Sequence, residues 1–266
     1  MKTLYVGIIQ NSATSDIKKN LNRINTLLAN VTQRLDVIAL AEVFAYRGNH
    51  QDYRTLSDVL WKISTEYAEA LARSRNVWVL AGSIPEKVKN KIYNTSVLFN
   101  RDGKIAGLYR KIHLFEALLN SKQKIAESDV FTRGSNPVTV NIEGWVAGLS
   151  ICYDLRFPEL YRQYSKAGAH ILFVPSNFTQ RTGKDHWEIL VRARAIENQC
   201  FVIAPNQCGK NEATKIQSYG HSMIVGPWGE ILAKASNHET ILTVCLNKDD
   251  IENTRHRIPA LKHRIL

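Results

Sequence analysis

Residues 148–160 read GLSICYDLRFPEL, and the fold turns on this stretch. An apolar run, Trp145–Ile151, has the length and composition of a buried strand, and Cys152 follows it directly. A helical pattern then begins at Pro158 and runs to Ala167, with proline near a first helical turn, where its missing N–H costs nothing. A strand that feeds a helix through a short turn is the unit of an α/β fold. Reading outward, the pattern repeats. Toward the C-terminus come strand-like Ile171–Val174, a helical segment Lys184–Asn198, and strand-like Phe201–Asn206, Ser222–Val225, Ile231–Lys234 and Thr240–Leu246. Toward the N-terminus lie strand-like Leu4–Gln10, Val37–Leu40, Trp78–Ser83, Tyr93–Asn100 and Ile105–Arg110, with helical periodicity over Ile17–Ala29 and Asp58–Arg73. Two segments resemble each other: SVLFNRDGKIAGLYRK (96–111) and SMIVGPWGEILAKAS (222–236) are each a strand, a tight glycine turn and a second strand. One falls in each half of the chain. They suggest two related halves packed sheet against sheet, a four-layer α-β-β-α sandwich.

The chain has 266 residues, 44% hydrophobic and 22% charged, as in an ordinary globular enzyme, and no linker or low-complexity segment divides it. A single domain over residues 1–266 is expected. The N-terminal apolar run in MKTLYVGIIQ meets Asn11 and Ser12 too soon for a signal peptide or a membrane span, and no later run is long enough to cross a bilayer. A soluble, cytoplasmic protein with no membrane partner is expected. The formal net charge is +11, but the basic residues are scattered, and the densest stretch, RHRIPALKHRI (255–265), is broken by apolar residues. That distribution bears on solubility and steering and argues against nucleic acid as a partner. The four cysteines, Cys152, Cys200, Cys208 and Cys245, form no C-x-x-C pair and no disulfide framework. Neither a metal nor an organic cofactor is implied.

Cys152 stands at a strand-to-helix turn, at the carboxyl end of a sheet and among backbone N–H groups, which suits a nucleophile beside an oxyanion hole. A buried apolar residue at a strand end would look the same. A thiol needs activation, since the thiolate is the reacting species. None of the eight histidines lies in a pattern that pairs with a catalytic thiol. The alternative is a carboxylate base beside a cation. In VIALAEVFAYRG (37–48) Glu42 comes just past an apolar run, and in GLYRKIHLF (107–115) Lys111 comes just past a hairpin strand. Three strand ends thus offer a carboxylate, an ammonium and a thiol.

Taken together, the chain resembles the nitrilase, or carbon–nitrogen hydrolase, superfamily, whose members carry a Glu–Lys–Cys triad in this order. The resemblance spans nearly the whole chain. It is most specific in ICYDLRFPEL (151–160), strong in NFTQRTGKDHWEILVRARAIENQCFVIAPNQCG (177–209) and YGHSMIVGPWGEILAKAS (219–236), and nearly as good in KIYNTSVLFNRDGKIAGLYRKIHLF (91–115). It implies Cys152 as nucleophile, Glu42 as general base, and Lys111 as the cation that steadies the tetrahedral intermediate. It also implies Glu127, in AESDVFTRG (126–134), as a second glutamate that orients the lysine. Family members often carry proline directly before the base; here the residue is Ala41.

The residues after Cys152 resemble the Nit branch rather than true nitrilases. The resemblance implies cleavage of the terminal amide of a small α-keto, carboxylate-bearing substrate to acid and ammonia. The NQCG segment (206–209), YGHSM (219–223) and FPEL (157–160) lean toward deaminated glutathione amidases, with omega-amidases the alternative. An N-carbamoyl-amide hydrolase with the same triad, or a Nit-fold interaction module without catalysis, are further readings. Tyr153 is expected to act through its backbone N–H at the oxyanion. Arg156 is expected either to meet the substrate carboxylate or to pair with Asp154 or Glu159. The segments ELYRQYSKAG (159–168) and HWEILVRARAIEN (186–198) carry more apolar residues than one inward face needs. Leu160, Tyr161, Tyr164, Trp187, Leu190 and Val191 are therefore expected to form a second buried surface, and a homodimer is expected across it, as the resemblance also implies.

Overall fold

The structure, a computed structural model, describes residues 1–120 and 123–265. The first half of the chain forms β1 (Thr3–Gln10), β2 (Val37–Ala39), β3 (Trp78–Leu80), β4 (Ile84–Val88), β5 (Lys91–Phe99) and β6 (Ile105–Arg110). A small hairpin of β7 (Glu116–Asn120) and β8 (Gln123–Ala126) follows. The second half forms β9 (Val138–Ile142), β10 (Trp145–Leu149), β11 (Ile171–Phe173), β12 (Phe201–Ala204), β13 (Met223–Val225) and β14 (Ile231–Lys234). The last strand, β15 (Thr240–Asn247), returns to pair antiparallel with β1 in the first sheet.

The two sheets repeat one plan. In the first, β1, β2 and β3 are parallel neighbours, flanked by antiparallel β15 on one side and the β5–β6 hairpin on the other, with β4 also pairing β5. In the second, β10, β11 and β12 are parallel, flanked by antiparallel β9 and by the β13–β14 hairpin. The two look-alike glycine hairpins of the sequence thus take equivalent places in the two halves.

Side-chain alternation builds the layers. Leu4, Val6, Ile8, Val37, Ala39, Trp78 and Leu80 join one core with Ala147, Leu149, Ile171, Phe173 and Phe201 of the second sheet. Their neighbours Ile9, Ile38, Leu40, Val79 and Ala81 face the other way, onto Ile24, Leu28, Ala68 and Leu71. Those four lie on α1 (Ile17–Ala29) and α2 (Tyr53–Arg75). A period-two strand buried on both faces has to be covered on both. Helix α1 starts where the Asp16 carboxylate accepts the Lys19 N–H, and it buries Asn20, Ile24 and Leu28, four residues apart. Helix α3 (Pro158–Lys166) and the helix Glu188–Asn198 cover the outer face of the second sheet. The result is helix, sheet, sheet, helix. No helix among the described residues is long and apolar enough to cross a membrane.

Three expectations change. Helix α2 starts at Tyr53 rather than Asp58, because a capped turn over His50–Asp52, held by the Asn49 and Asp52 side chains, leads straight into it. The segment before Glu188 is a π-helical turn, Gly183–Trp187. There Gly183 lies so close to the Tyr219 ring that a Cβ would fall 2.3 Å from it, and Trp187 donates its Nε1–H to His221 O at 2.7 Å. The third correction concerns the proposed second surface. Leu160, Tyr161, Tyr164, Trp187 and Val191 are buried within this one chain, and Leu190 packs against the same core. The polar tips explain why: the Tyr161 and Ser150 hydroxyls bond at 2.8 Å, and the Tyr164 hydroxyl donates to Leu149 O, so both rings point at the sheet. The exposed apolar residues on this side are Ile189, Ile196, Trp228 and Ile258 instead.

Candidate active site

The expected strand ends converge. Cys152 follows β10 and opens a short 3-10 helix, Cys152–Arg156. Its φ is +47°, in the left-handed region that costs an L-residue about 1 kcal/mol or more. Two bonds hold it there: the Cys152 N–H donates to Pro175 O at 2.9 Å, and the Ile151 N–H donates to Asp154 Oδ2 at 2.9 Å. The Tyr153 N–H, second in that helix, is among those a helix start leaves without an intrahelical acceptor.

Glu42 follows β2 on a loop with the same character. Its neighbour Val43 has φ +51°, rare for a β-branched residue, and its N–H donates to Ser83 Oγ at 3.2 Å. This loop packs backbone to backbone on the next one: a Cβ at Gly82 would lie 1.8 Å from Ala41 O, so only glycine fits there. Gln207, from the second half, donates its Nε2–H to Glu42 O at 3.0 Å and locks the loop from the other side.

Lys111 follows β6, and its ammonium has carboxylates on two sides. Nζ lies 2.9 Å from Glu42 Oε1, and 2.9 and 2.8 Å from the two oxygens of Glu127. Glu42 Oε1 also accepts from Asn94 Nδ2 at 3.0 Å, and Glu127 Oε2 accepts the Phe115 N–H at 2.7 Å. Lys111 is 1% exposed, Glu42 4% and Glu127 8%. The Cys152 thiol borders the same cavity as Glu42, Lys111 and Asn177, and the Glu42 charge acts on its sulfur.

Burial alone would lower the Lys111 pKa, yet the charges of Glu127 and Glu42 outweigh it and hold the ammonium well above its ordinary value. Glu42 is pushed up from the usual carboxylate value of 4.5 by burial, with Lys111 opposing. The Cys152 thiol is raised well above its ordinary value, first by burial and then by the Glu42 charge. The resting sulfur is therefore a thiol. It becomes a nucleophile only by passing its proton to a nearby base, and the Glu42 carboxylate lies on the same cavity.

Arg156 forms no ion pair with Asp154 or Glu159 among the described residues. Asp154 is fully buried and fully engaged: Oδ2 accepts from the Tyr109 hydroxyl at 2.8 Å and the Ile151 N–H, and Oδ1 accepts the His113 N–H at 3.0 Å and faces His113 Nδ1 at 2.7 Å. The sequence reading gave Asp154 no such part. It ties the Cys152 turn to the loop carrying Lys111, through the residues two before and two after the lysine. The Arg156 guanidinium instead stands over the Tyr153 and Phe178 rings, 3.3 Å from His186 Nδ1. Cys152 opens on two spaces. One is a cavity of about 340 Å³ lined by Glu42, Lys111, Asn94, Asn177 and Ser218 among others. The other is a recess of about 20 Å³ lined by Tyr153, Arg156, Asn177 and Phe178. Among the described residues no group of three or more His, Cys, Asp and Glu side chains is placed to hold a metal ion. A thiol, a carboxylate on the same cavity and a shared ammonium form a set able to attack a carbonyl carbon and carry the resulting acyl group as a thioester.

The carbon-nitrogen hydrolase family model matches residues 5–256. The deaminated glutathione amidase of Synechocystis is 36% identical over 271 aligned residues, covering 100% of this chain and 99% of that protein. The omega-amidase of Xenopus tropicalis is 32% identical, covering 99% of this chain and 96% of that one. The crystal structure of Saccharomyces cerevisiae Nit3, described as a member of branch 10 of the nitrilase superfamily, superposes with a TM-score of 0.89 at 31% identity, over 100% of this chain and 97% of that one.

Proposed function

The chain belongs to the carbon–nitrogen hydrolase family, and on that premise we propose that it cleaves the terminal amide of a small, carboxylate-bearing α-keto substrate through a Cys152 thioester. The observation that carries the reading is the buried Lys111 ammonium, shared between Glu42 and Glu127, on one cavity with the Cys152 thiol. Glu42 takes the thiol proton as Sγ attacks the amide carbon. The oxyanion forms against Lys111 and the Tyr153 N–H. The C–N bond breaks, the nitrogen takes the proton from Glu42, and ammonia leaves. Water then gives its proton to Glu42 and attacks the thioester, the acid departs, and the proton returns to sulfur. Glu127 does not meet the substrate in this scheme; it fixes the lysine. The Arg156 guanidinium, which has no carboxylate partner among the described residues, meets the substrate carboxylate.

Within the family we propose a deaminated glutathione amidase-like activity, with omega-amidase activity on α-ketoglutaramate as the alternative; the amidase relatives support the class. Ammonia release from deaminated glutathione, α-ketoglutaramate and a simple nitrile tests both levels. The keto-amides should be turned over and the nitrile spared, and Cys152→Ala should abolish the activity with the fold intact. Full activity in that variant would end the mechanism.

We further propose a homodimer through the exposed side of the helix Glu188–Asn198, where Ile196, Trp228 and Ile258 line one groove. Light scattering at micromolar concentration should give twice the monomer mass of 30.2 kDa. A cytoplasmic setting is proposed on the same chemistry, since a mechanism that runs on a free thiol is best served by a reducing compartment.

A further inference from the structure

Asn94, Gln207 and Asn211 lie around Glu42 and the cavity, and the side-chain N–H₂ of each is already anchored by a bond within the protein. Asn94 donates to Glu42 Oε1, Gln207 to Glu42 O, and Asn211 to Gly48 O at 3.0 Å. Asn177 differs. Its Oδ1 accepts from the Ser218 hydroxyl at 2.6 Å, and among the described residues nothing accepts from its Nδ2. Asn177 is half-buried and borders both the cavity and the recess, so its free donor lies at the edge of the space where a substrate must lie.

The orientation of that amide is fixed from behind. Arg47 is 3% exposed, and among the described residues its guanidinium donates only to neutral acceptors: Nε to Ala13 O at 2.8 Å, Nη2 to Ser12 Oγ at 3.3 Å and Nη1 to Ser218 Oγ at 2.6 Å. A guanidinium can only donate, so the Ser218 oxygen accepts from it and the hydroxyl hydrogen is left for Asn177 Oδ1. That bond leaves the N–H₂ arm directed away from Ser218. A buried cation thus polarises a chain of two hydrogen bonds that ends in a donor beside the reacting sulfur.

We infer that Asn177 is a specificity-determining residue, whose side-chain N–H₂, aimed by Arg47 through Ser218, donates to a keto or carboxylate oxygen that the substrate carries near its scissile amide. The inference rests on the amide-hydrolase reading and adds to it the group that recognises the second oxygen. A site with a placed donor rejects an analogue lacking the acceptor far better than an apolar wall rejects a change of size. Arg47 and Ser218 are positioning residues.

The test compares kcat/KM for succinamate, which carries the second oxygens, with that for butanamide, which does not. In Asn177→Ala the succinamate-to-butanamide ratio should fall about tenfold, mostly through KM for succinamate. In Asn177→Asp it should fall further, since a carboxylate cannot donate and repels the substrate's own. In Ser218→Ala, where the donor stays but is no longer aimed, it should fall about threefold. A ratio unchanged in Asn177→Ala and Asn177→Asp, whether both rates fall together or neither does, overturns the inference. If Asn177→Ala does not fold, the Asn177→Asp and Ser218→Ala ratios decide in the same way. If the wild-type protein releases ammonia from neither amide nor from α-ketoglutaramate, the amide-hydrolase reading is what fails. Calorimetric titration of succinamate into wild-type protein and Asn177→Ala then tests Asn177 alone: weaker binding in the variant supports it, and equal affinity refutes it.

Discussion

Two places in the molecule hold one cation between two carboxylates. At one, Lys111 lies between Glu42 and Glu127, and all three side chains are nearly sealed from water. At the other, Arg101 lies between Asp36 and Glu143, with the Arg101 side chain 17% and that of Glu143 31% exposed. The second set, with Asp36 buried and the other two only partly exposed, closes a seam near the surface: Arg101 also donates to Asn76 O, and Trp78 Nε1 donates to Glu143. Its cation is an arginine, with a planar fork of donors, whereas the buried set uses a compact ammonium whose hydrogens are spent on Glu42 and Glu127. A charge cluster out of water is costly to assemble and costlier to break, while one partly in water is weaker either way. Where such a cluster contributes little that an apolar core could not supply, chemistry is the reason to keep it.

That contrast can be broken at its strong end first. Lys111→Met should lower kcat/KM by about 10³-fold or more, through loss of oxyanion stabilisation. It should also destabilise the fold by about 3–5 kcal/mol, because two carboxylates are left facing each other without a cation. Single-turnover kinetics and chemical denaturation read the two effects separately. Glu127→Gln removes only the group that fixes the lysine, and a loss of about 10²-fold in kcat is expected, with KM nearly unmoved. An equal loss in KM would mean that Glu127 meets the substrate directly.

The pH profile sharpens the same comparison. On the proposed mechanism Glu42 is the base, so activity should fall as pH drops through its folded pKa, which burial holds above 4.5. The acidic limb of kcat/KM should therefore lie above 4.5; a limb at or below that value would exclude Glu42 as the titrating base. Lys111, with its pKa raised, keeps its charge throughout the neutral range, and its favourable pairing is lost only as pH rises beyond 10.5. At the rim, the Arg101 guanidinium holds the Glu143 carboxyl below 4.5, with Trp78 assisting and burial opposing. The stability from that pairing is complete above 4.5 and is lost as pH falls through the lowered folded value. Arg101→Met should cost about 1–3 kcal/mol near neutrality, less than Lys111→Met because Arg101 and Glu143 are partly in water, and leave turnover unchanged. A large loss of activity in that variant would show that the two clusters are linked.

Much of this was legible before any coordinates. Cys152 declares itself because a buried strand and a proline-started helix leave only a short turn between them. Glu42 and Lys111 follow the same rule of strand ends. Glu127 also follows a strand, β8, but that strand is too short to read from the sequence, and only the family resemblance points to the residue. Asp154, Arg47, Ser218 and Asn177 stayed hidden for a plainer reason. Each is an ordinary polar residue until the chain brings it a partner: Tyr109 lies 45 positions from Asp154, and Arg47 lies 171 from Ser218. The apolar excess on the helices after Cys152 misled in a different way. Helical spacing shows that a face is apolar, but not whether a neighbour in the same chain covers it, and the second sheet covers those rings completely.

The equivalence of the two sheets carries a consequence for how the chain comes to life. The carboxylates and the ammonium belong to the first half, and the sulfur to the second. On the proposed roles, the early half therefore holds, as the chain is made, a base with no nucleophile to serve, and the later half a thiol with no base in reach. Neither intermediate has hydrolytic power. Gln207, reaching from the second half to the Glu42 backbone, and the Asp154 links to Tyr109 and His113 are the bolts drawn as the halves meet. On the proposed mechanism, docking is also the moment of arming, and a nascent chain carries no activated nucleophile through the crowded stages of its own synthesis.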